Sequence, residues 1–132
     1  MMSLLDMPGT LKQPLRVGVR RGCAAVVLSL HGELDLYTKA LLFGELDEVL
    51  SPSQAYPPGV VVDLSELSFC DSSGLGALIG IRKRMMAAGR PLALVGVQGM
   101  VARILHRTGL DRVFRCYLTV ADAEHALADV HA

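Results

Sequence analysis

Three short segments made mostly of apolar residues constrain the fold of this chain more than any other feature. They are residues 23–30, 60–64 and 92–95. A strand that is apolar on both faces needs cover on both faces, as the central strands of a parallel sheet have. None of the three approaches the roughly 18 apolar residues of a membrane-spanning helix. The sequence therefore predicts three central strands with helices packed against them.

Apolar residues recur at helical spacing in the segments between and after these strands. Residues three and four positions apart share one face of a helix, which has about 3.6 residues per turn. Such spacing predicts helices within 36–50 and 75–86. A third helix is expected to end at Gly109, a residue typical of helix ends, and a fourth to begin after Thr119, which has capping-box spacing to Asp122.

The start of the chain has the pattern of a half-buried strand. The odd-numbered residues from Leu15 to Val19 are apolar and alternate with arginine or glycine. A turn at Gly22 would pair this strand antiparallel with segment 23–30. A further short strand is expected at 113–116.

These elements predict an α/β fold in a single domain. We expect a mixed central β-sheet of about five strands with about four α-helices, in the order β-β-α-β-α-β-α-β-α. Right-handed crossovers would bring the ends of the parallel strands to one rim of the sheet. The domain is expected to span 15–131 after a loosely attached N-terminal lead, 1–14, with a connecting loop at 51–59.

Composition limits the class of partner and the compartment. The 132 residues have a formal net charge of zero, so no general attraction to nucleic acid or anionic membrane is expected. Three widely spaced cysteines predict neither a disulfide framework nor a zinc site, and no metal site is expected. The start of the chain has no signal-peptide pattern. A cytoplasmic protein is the expectation.

The segment DLSELSFCDSSGLG, residues 63–76, is the best candidate for a functional site. It ends a buried strand and places two hydroxyls at the start of a helix, on the predicted rim. The first N–H groups of a helix have no partners within the helix and lie at the positive end of its dipole. Asp71, Ser72 or Ser73 can cap the helix there. The same position also tolerates a phosphate on a serine.

Three blocks of the sequence resemble the signature blocks of STAS-domain anti-sigma factor antagonists. They are LHGELD (30–35), VVVDLSELSFCDSSGLGALIG (60–80) and VARILHRTGLDRVF (101–114). Their order and spacing match over nearly the whole chain. The resemblance implies a STAS fold and a bacterial partner-switching protein that regulates transcription.

The family implies a role for individual residues. The serine before the glycine of the D-S-S-G turn, Ser73 here, corresponds to the phosphorylated residue. Asp35 and Glu33 match acidic residues near the phosphorylation site. The expected surroundings and partner surface also include residues on both sides of Ser73, namely Asp71, Ser72, Gly74, Leu75 and Gly76.

The family also implies the partners. The unphosphorylated protein would bind an anti-sigma factor that is a serine kinase and so release a sigma factor, and phosphorylation would cancel the binding. ATP and magnesium would be used by the kinase, so no cofactor is expected on this chain. A serine phosphatase is a further expected partner. Neither nucleic acid nor membrane is expected to bind directly, and the protein is expected to be a monomer or weak homodimer.

Two other functions stay open from the sequence. A serine hydrolase of the elbow type needs G-x-S-x-G, but Asp71 and Leu75 occupy the two glycine positions around Ser73. No P-loop or dinucleotide fingerprint is present either, so no enzyme is expected. A STAS module that serves as a scaffold or senses a nucleotide or lipid is the non-enzymatic alternative.

Four residues of the second helix leave structural questions. Gly74, Gly76 and Gly80 each cost about 1 kcal/mol relative to alanine in a helix, so they either permit close packing or leave a bare surface for a partner. Arg82 falls in the middle of the apolar stripe predicted for this helix. Its charge is expected to reach the sheet edge or to pair with a carboxylate, and ligand binding is the alternative.

Overall fold

The computed structural model of the protein describes residues 14–53 and 57–130, which contain six strands and four α-helices. The strands are β1 (Arg16–Arg21), β2 (Ala25–Leu34), β3 (Gly59–Asp63), β4 (Leu67–Cys70), β5 (Leu92–Val95) and β6 (Cys116–Tyr117). The helices are α1 (Lys39–Leu50), α2 (Ser72–Ala87), α3 (Gly99–Thr108) and α4 (Val120–Val130), and a short 3-10 helix, Leu110–Arg112, follows α3.

The strands form one mixed sheet in the order β1-β2-β3-β5-β6, with β4 also paired to β2. Among the described strands, only β1 runs antiparallel to its neighbour, and the other pairs are parallel. The long strand β2 has two parallel neighbours. Its first half pairs with β3, and its last residues, beyond an irregularity after Gly32, pair with β4. The ends of β2 and β4 therefore meet at one rim.

Helices cover both faces of the sheet, as the apolar strands required. Side chains of β2 alternate between the faces. Val26 and Leu28 enter a core shared with α1, α2 and α3, whereas Val27 enters a smaller core under α4. The predicted fold class, a mixed sheet with four helices, is confirmed.

Local signals set the ends of two helices as predicted. The third helix, α3, ends at Gly109, which has the left-handed φ of 75° that glycine adopts without strain. The hydroxyl of Thr119 accepts a hydrogen bond from the backbone N–H of Asp122 at 3.0 Å at the start of α4. Both ends depend on residues close in sequence, which is why the pattern revealed them.

One strand and two element boundaries differ from the prediction. Strand β4 was not predicted, because its four residues are too few to show a clear period. The first helix begins at Lys39 rather than near Leu36, which is 55% exposed and lies in the turn before the helix. The last strand lies at Cys116–Tyr117 instead of 113–116, because Phe114 N–H bonds back to the carbonyl of Leu110 and continues the helical turn.

The apolar stripe predicted for α2 was right only in part. Of its four residues, Leu78 is buried, Leu75 and Ile79 pack against the core, and Met86 is 61% exposed. The buried residues of the helix are Gly74, Ala77, Leu78, Ile81 and Met85. Two of the buried residues are small, so a pattern that counted only large apolar side chains was rotated around the helix. Arg82 consequently lies beside the buried face, partly exposed, and not in its middle.

The predicted lead, residues 1–14, lies outside the described residues except for residue 14, and the predicted loop 51–59 lies outside them at 54–56. Within the described part of the chain, no helix has the length and apolar character needed to cross a bilayer.

Candidate functional site

Two acidic residues follow directly from two paired strand ends. Leu34, the last residue of β2, lies opposite Cys70, the last residue of β4. Adjacent strands of a sheet are about 4.8 Å apart. Asp35 and Asp71 come next in the two chains, so the G-E-L-D and D-S-S-G motifs, far apart in sequence, start their turns side by side at one rim.

Asp71 caps helix α2. Its Oδ1 accepts a hydrogen bond from the backbone N–H of Gly74 at 2.9 Å, and its carbonyl accepts one from the N–H of Leu75 at 2.9 Å. The prediction that one of Asp71, Ser72 and Ser73 caps the helix is confirmed, with the carboxylate as the capping group. Both serine hydroxyls are thereby left out of the cap.

Ser72 and Ser73 occupy the first two positions of α2. Ser72 is exposed and Ser73 is partly exposed. Within the described part of the chain, neither hydroxyl forms a hydrogen bond. Ser73 therefore presents an unengaged hydroxyl at a helix N-terminus, where backbone N–H groups and the helix dipole favour negative charge.

The glycines of α2 differ in the space around them. Gly74 is buried, and a Cβ at this position would overlap the backbone carbonyl oxygen of Leu34 and lie 2.8 Å from the sulfur of Cys70. A Cβ on Gly80 would lie 2.9 Å from the ring of Phe43 in α1. A Cβ on Gly76, in contrast, would meet nothing within 4 Å. Packing explains Gly74 and Gly80, and Gly76 leaves a bare exposed surface.

Asp35 organises the turn that leads into α1. Its Oδ1 accepts hydrogen bonds from the backbone N–H groups of Tyr37 at 2.9 Å and Thr38 at 3.0 Å. The Thr38 hydroxyl lies 2.8 Å from the carbonyl oxygen of Glu33, to which it donates. The side chain of Glu33 is only partly buried at the end of β2. Asp35 therefore stabilises the turn before α1, and it also lies beside the D-S-S-G turn.

Exposed apolar side chains follow Asp35. Leu36 is 55% exposed and Tyr37 is 88% exposed, and Leu41 in the first turns of α1 is also exposed. The sequence did not indicate that Leu36 is exposed, because Leu36 fitted the apolar spacing of a helix.

A shallow cavity of ≈ 160 Å³ lies near the end of β4. Phe69, two residues before Asp71, lines it together with Met100 at the start of α3.

Cys70 lies beneath the motif and is 2% exposed. Burial, with a smaller contribution from the Asp71 carboxylate, raises the pKa of its thiol from 9.0 to about 11. The thiol lies within 3.6 Å of the carbonyl oxygen of Asp71, to which it donates. A protonated, buried thiol is a packing residue at neutral pH, because the thiolate is the reactive form. Among the described residues, no three His, Cys, Asp or Glu side chains group as metal ligands.

Comparison with known proteins finds the same fold and the same family. The sequence profile of the STAS domain matches residues 15–123. The anti-sigma F factor antagonist of Paenibacillus polymyxa is 30% identical over 103 residues, which cover 78% of this chain and 86% of that relative. The crystal structure of an anti-sigma factor antagonist from Mycobacterium paratuberculosis matches with a TM-score of 0.75 and 30% sequence identity. The match covers 86% of this chain and 94% of that chain.

A more distant structure shares the fold. The Bacillus cell fate determinant SpoIIAA, solved in its phosphorylated form, has a TM-score of 0.66 at 20% identity, with 85% of this chain and 99% of that chain covered.

Proposed function

This chain belongs to the STAS-domain family of anti-sigma factor antagonists, and on that premise we propose that it is a partner switch controlled by phosphorylation of Ser73. In its unphosphorylated form it binds an anti-sigma factor that is also a serine kinase, which frees a bacterial sigma factor. Phosphorylation by that kinase ends the binding, and a serine phosphatase restores it. The protein acts in the cytoplasm, where sigma factors work.

The observation that carries the proposal is the free hydroxyl of Ser73. Asp71 performs the capping, so Ser73 can be modified without loss of a bond that holds the helix. A phosphate adds about −1.5 to −2 charges at pH 7, and a helix N-terminus accepts negative charge. The domain is therefore expected to remain folded after modification.

The charge of the surroundings explains how one phosphate can abolish binding. Asp35 and Asp71 already give this rim two carboxylates, and a phosphate on Ser73 would make it strongly acidic. A partner surface that packs against a neutral serine would then lose its fit and meet repulsion. A cost of about 3 kcal/mol weakens binding roughly a hundredfold.

Apolar side chains beside the rim supply the contact area for the unmodified form. Leu36 and Tyr37 are exposed directly after Asp35, and Gly76 leaves the helix surface bare. Exposed aromatic and aliphatic side chains surrounded by polar ones are typical of protein contact surfaces. We therefore place the anti-sigma factor over the turn after β2 and the first turns of α2.

Hydrolysis by Ser73 finds no support in the geometry. A serine nucleophile needs a base within hydrogen-bond distance, and the Ser73 hydroxyl has no such partner among the described residues. We accordingly propose a non-enzymatic role in which ATP and magnesium belong to the kinase. Among the described residues of the rim, no contact favours the scaffold alternative.

The test uses the purified chain with each anti-sigma factor homologue encoded in its source genome. Calorimetry measures binding, and mass spectrometry locates phosphate after addition of ATP and Mg²⁺. We expect one homologue to bind the parent and to phosphorylate it at Ser73. Ser73→Ala should block phosphorylation and keep binding, and Ser73→Asp should weaken binding about a hundredfold.

Ser72→Ala is the matched control, because Ser72 is the neighbouring serine in the same helical turn. It should be phosphorylated and bound like the parent. Phosphate on Ser72 in place of Ser73, or full binding by Ser73→Asp, would contradict the proposal. Binding with no phosphorylation of any serine would favour the scaffold.

A further inference from the structure

A second concave site lies at the opposite end of α2 from Ser73. An open cavity of ≈ 190 Å³ lies between the last turns of α2, the start of β5 and the segment that enters β6. Met85, on its wall, is 12 residues along the helix from Ser73, which is about 18 Å at 1.5 Å per residue. The cavity is therefore separate from the phosphorylation rim.

The walls of the cavity are largely apolar. Met85 and Phe114 are buried and line it from α2 and from the segment before β6. Met86 and Val113 also line the cavity. Both side chains are exposed despite being apolar, and Met86 is 61% exposed. An apolar ligand in the cavity would cover surface that is otherwise in contact with water.

Three arginines from three different elements also line the cavity. Arg82 lies in α2, Arg90 lies in the turn before β5, and Arg115 directly precedes β6. Within the described residues none of them forms an ion pair, and Arg90 donates one long hydrogen bond, 3.4 Å, to the carbonyl of Val49. Among the residues that the structure describes, no carboxylate lines the cavity.

Charge and size together define the ligand. Like charges around a concave, partly apolar site raise the local positive potential, and the planar guanidinium matches carboxylate and phosphate oxygens. An engineered apolar cavity of about 150 Å³ holds benzene. The volume here fits one ring or a short aliphatic chain, and the arginines fit its anionic group.

We propose that this cavity binds a small molecule that carries one carboxylate or phosphate monoester group on an apolar body the size of one aromatic ring. The apolar body contacts Met85, Met86 and Phe114. The anionic group lies among the guanidinium groups of Arg82, Arg90 and Arg115. The site is independent of the switch at Ser73.

The experiment titrates four probes into the ¹⁵N-labelled full chain and follows backbone amide shifts. Phenyl phosphate and benzoate carry both features, inorganic phosphate carries only the charge, and benzyl alcohol carries only the ring. We expect saturable shifts at Met86 and from Val113 to Arg115 with phenyl phosphate or benzoate, with a Kd of about 1 mM or lower. The relative affinity of these two probes distinguishes a phosphate from a carboxylate ligand. Inorganic phosphate and benzyl alcohol should bind at least about tenfold more weakly.

Matched arginine variants test the location. Arg115→Gln should weaken the binding of phenyl phosphate about tenfold, since it removes one charged partner. Arg103→Gln removes an exposed arginine of α3 that does not line the cavity and should leave the binding unchanged. Arg82→Gln is a second cavity variant, and thermal unfolding checks that each variant folds.

Three results would overturn the proposal. They are the absence of saturable shifts up to about 10 mM probe, equal affinity for inorganic phosphate and phenyl phosphate, and equal losses in Arg115→Gln and Arg103→Gln.

Discussion

The backbone carbonyl of Leu34 packs directly against the Cα of Gly74. A Cβ at position 74 would overlap the carbonyl oxygen, and the sulfur of Cys70 closes the same space from below. Leu34 ends the strand that leads to Asp35, and Gly74 stands one residue after Ser73. The contact therefore holds the start of α2 against the end of β2 and fixes the relative position of the two motifs.

We predict that Gly74→Ala destabilises the domain and that Gly76→Ala does not. An added methyl at position 74 has to displace backbone, which costs about 1–3 kcal/mol. At position 76 the methyl meets open space, and alanine gains up to about 1 kcal/mol in helix propensity. Urea unfolding of both variants measures the difference. Equal stability of the two would show that the contact with Leu34 is not tight.

Asp71 is predicted to stabilise the domain through its cap more than through its charge. Asp71→Ala removes the acceptor for the Gly74 N–H and should cost about 1–2 kcal/mol of unfolding free energy. Asp71→Asn keeps an oxygen in the same place and should cost much less. Urea unfolding compares the two variants. A loss in Asp71→Asn as large as that in Asp71→Ala would assign the effect to charge.

Asp35 is predicted to combine a structural and a binding role that two variants separate. Asp35→Ala removes the acceptor for the N–H groups of Tyr37 and Thr38 and should lower the unfolding free energy by about 1–2 kcal/mol. Asp35→Asn retains an acceptor and should stay near the stability of the parent. If the Asp35 carboxylate forms a hydrogen bond or ion pair with the anti-sigma factor, Asp35→Asn should still bind that partner more weakly in calorimetry. Unchanged binding would limit Asp35 to the turn.

Features set by residues close together in the sequence could be predicted from it, and features made by distant residues could not. The α/β class followed from apolar segments and periods, and the ends at Gly109 and Thr119 followed from local capping chemistry. The contact between Leu34 and Gly74 joins residues forty positions apart through the unpredicted strand β4, so no local pattern revealed it. The family resemblance alone supplied the role of Ser73, which stays a prediction.

The cavity lined by the three arginines could not be predicted from the sequence either. Arg82 was singled out only because it interrupted an apolar stripe, and that stripe proved to be rotated. Its neighbours in the cavity, Val113 and Arg115, come from a segment about thirty residues later that the sequence assigned to a strand. Packing of distant segments creates the site.

The buried thiol of Cys70 gives the last prediction, a loss of stability at high pH. Its pKa is 9.0 in the unfolded reference and about 11 in the folded protein. Between these values the unfolded chain releases the thiol proton and the folded chain keeps it, so the free energy of unfolding falls as pH rises from about 9 to 11. Each pKa unit corresponds to about 1.4 kcal/mol, so the full loss is about 2–3 kcal/mol.

Cys70→Ala is the control for this prediction, because it lacks the thiol. Urea unfolding at a series of pH values measures the free energy of unfolding of both proteins. The difference between the parent and Cys70→Ala should decline from about pH 9 to 11. A difference that stays constant with pH would mean that the thiol titrates normally in the folded state.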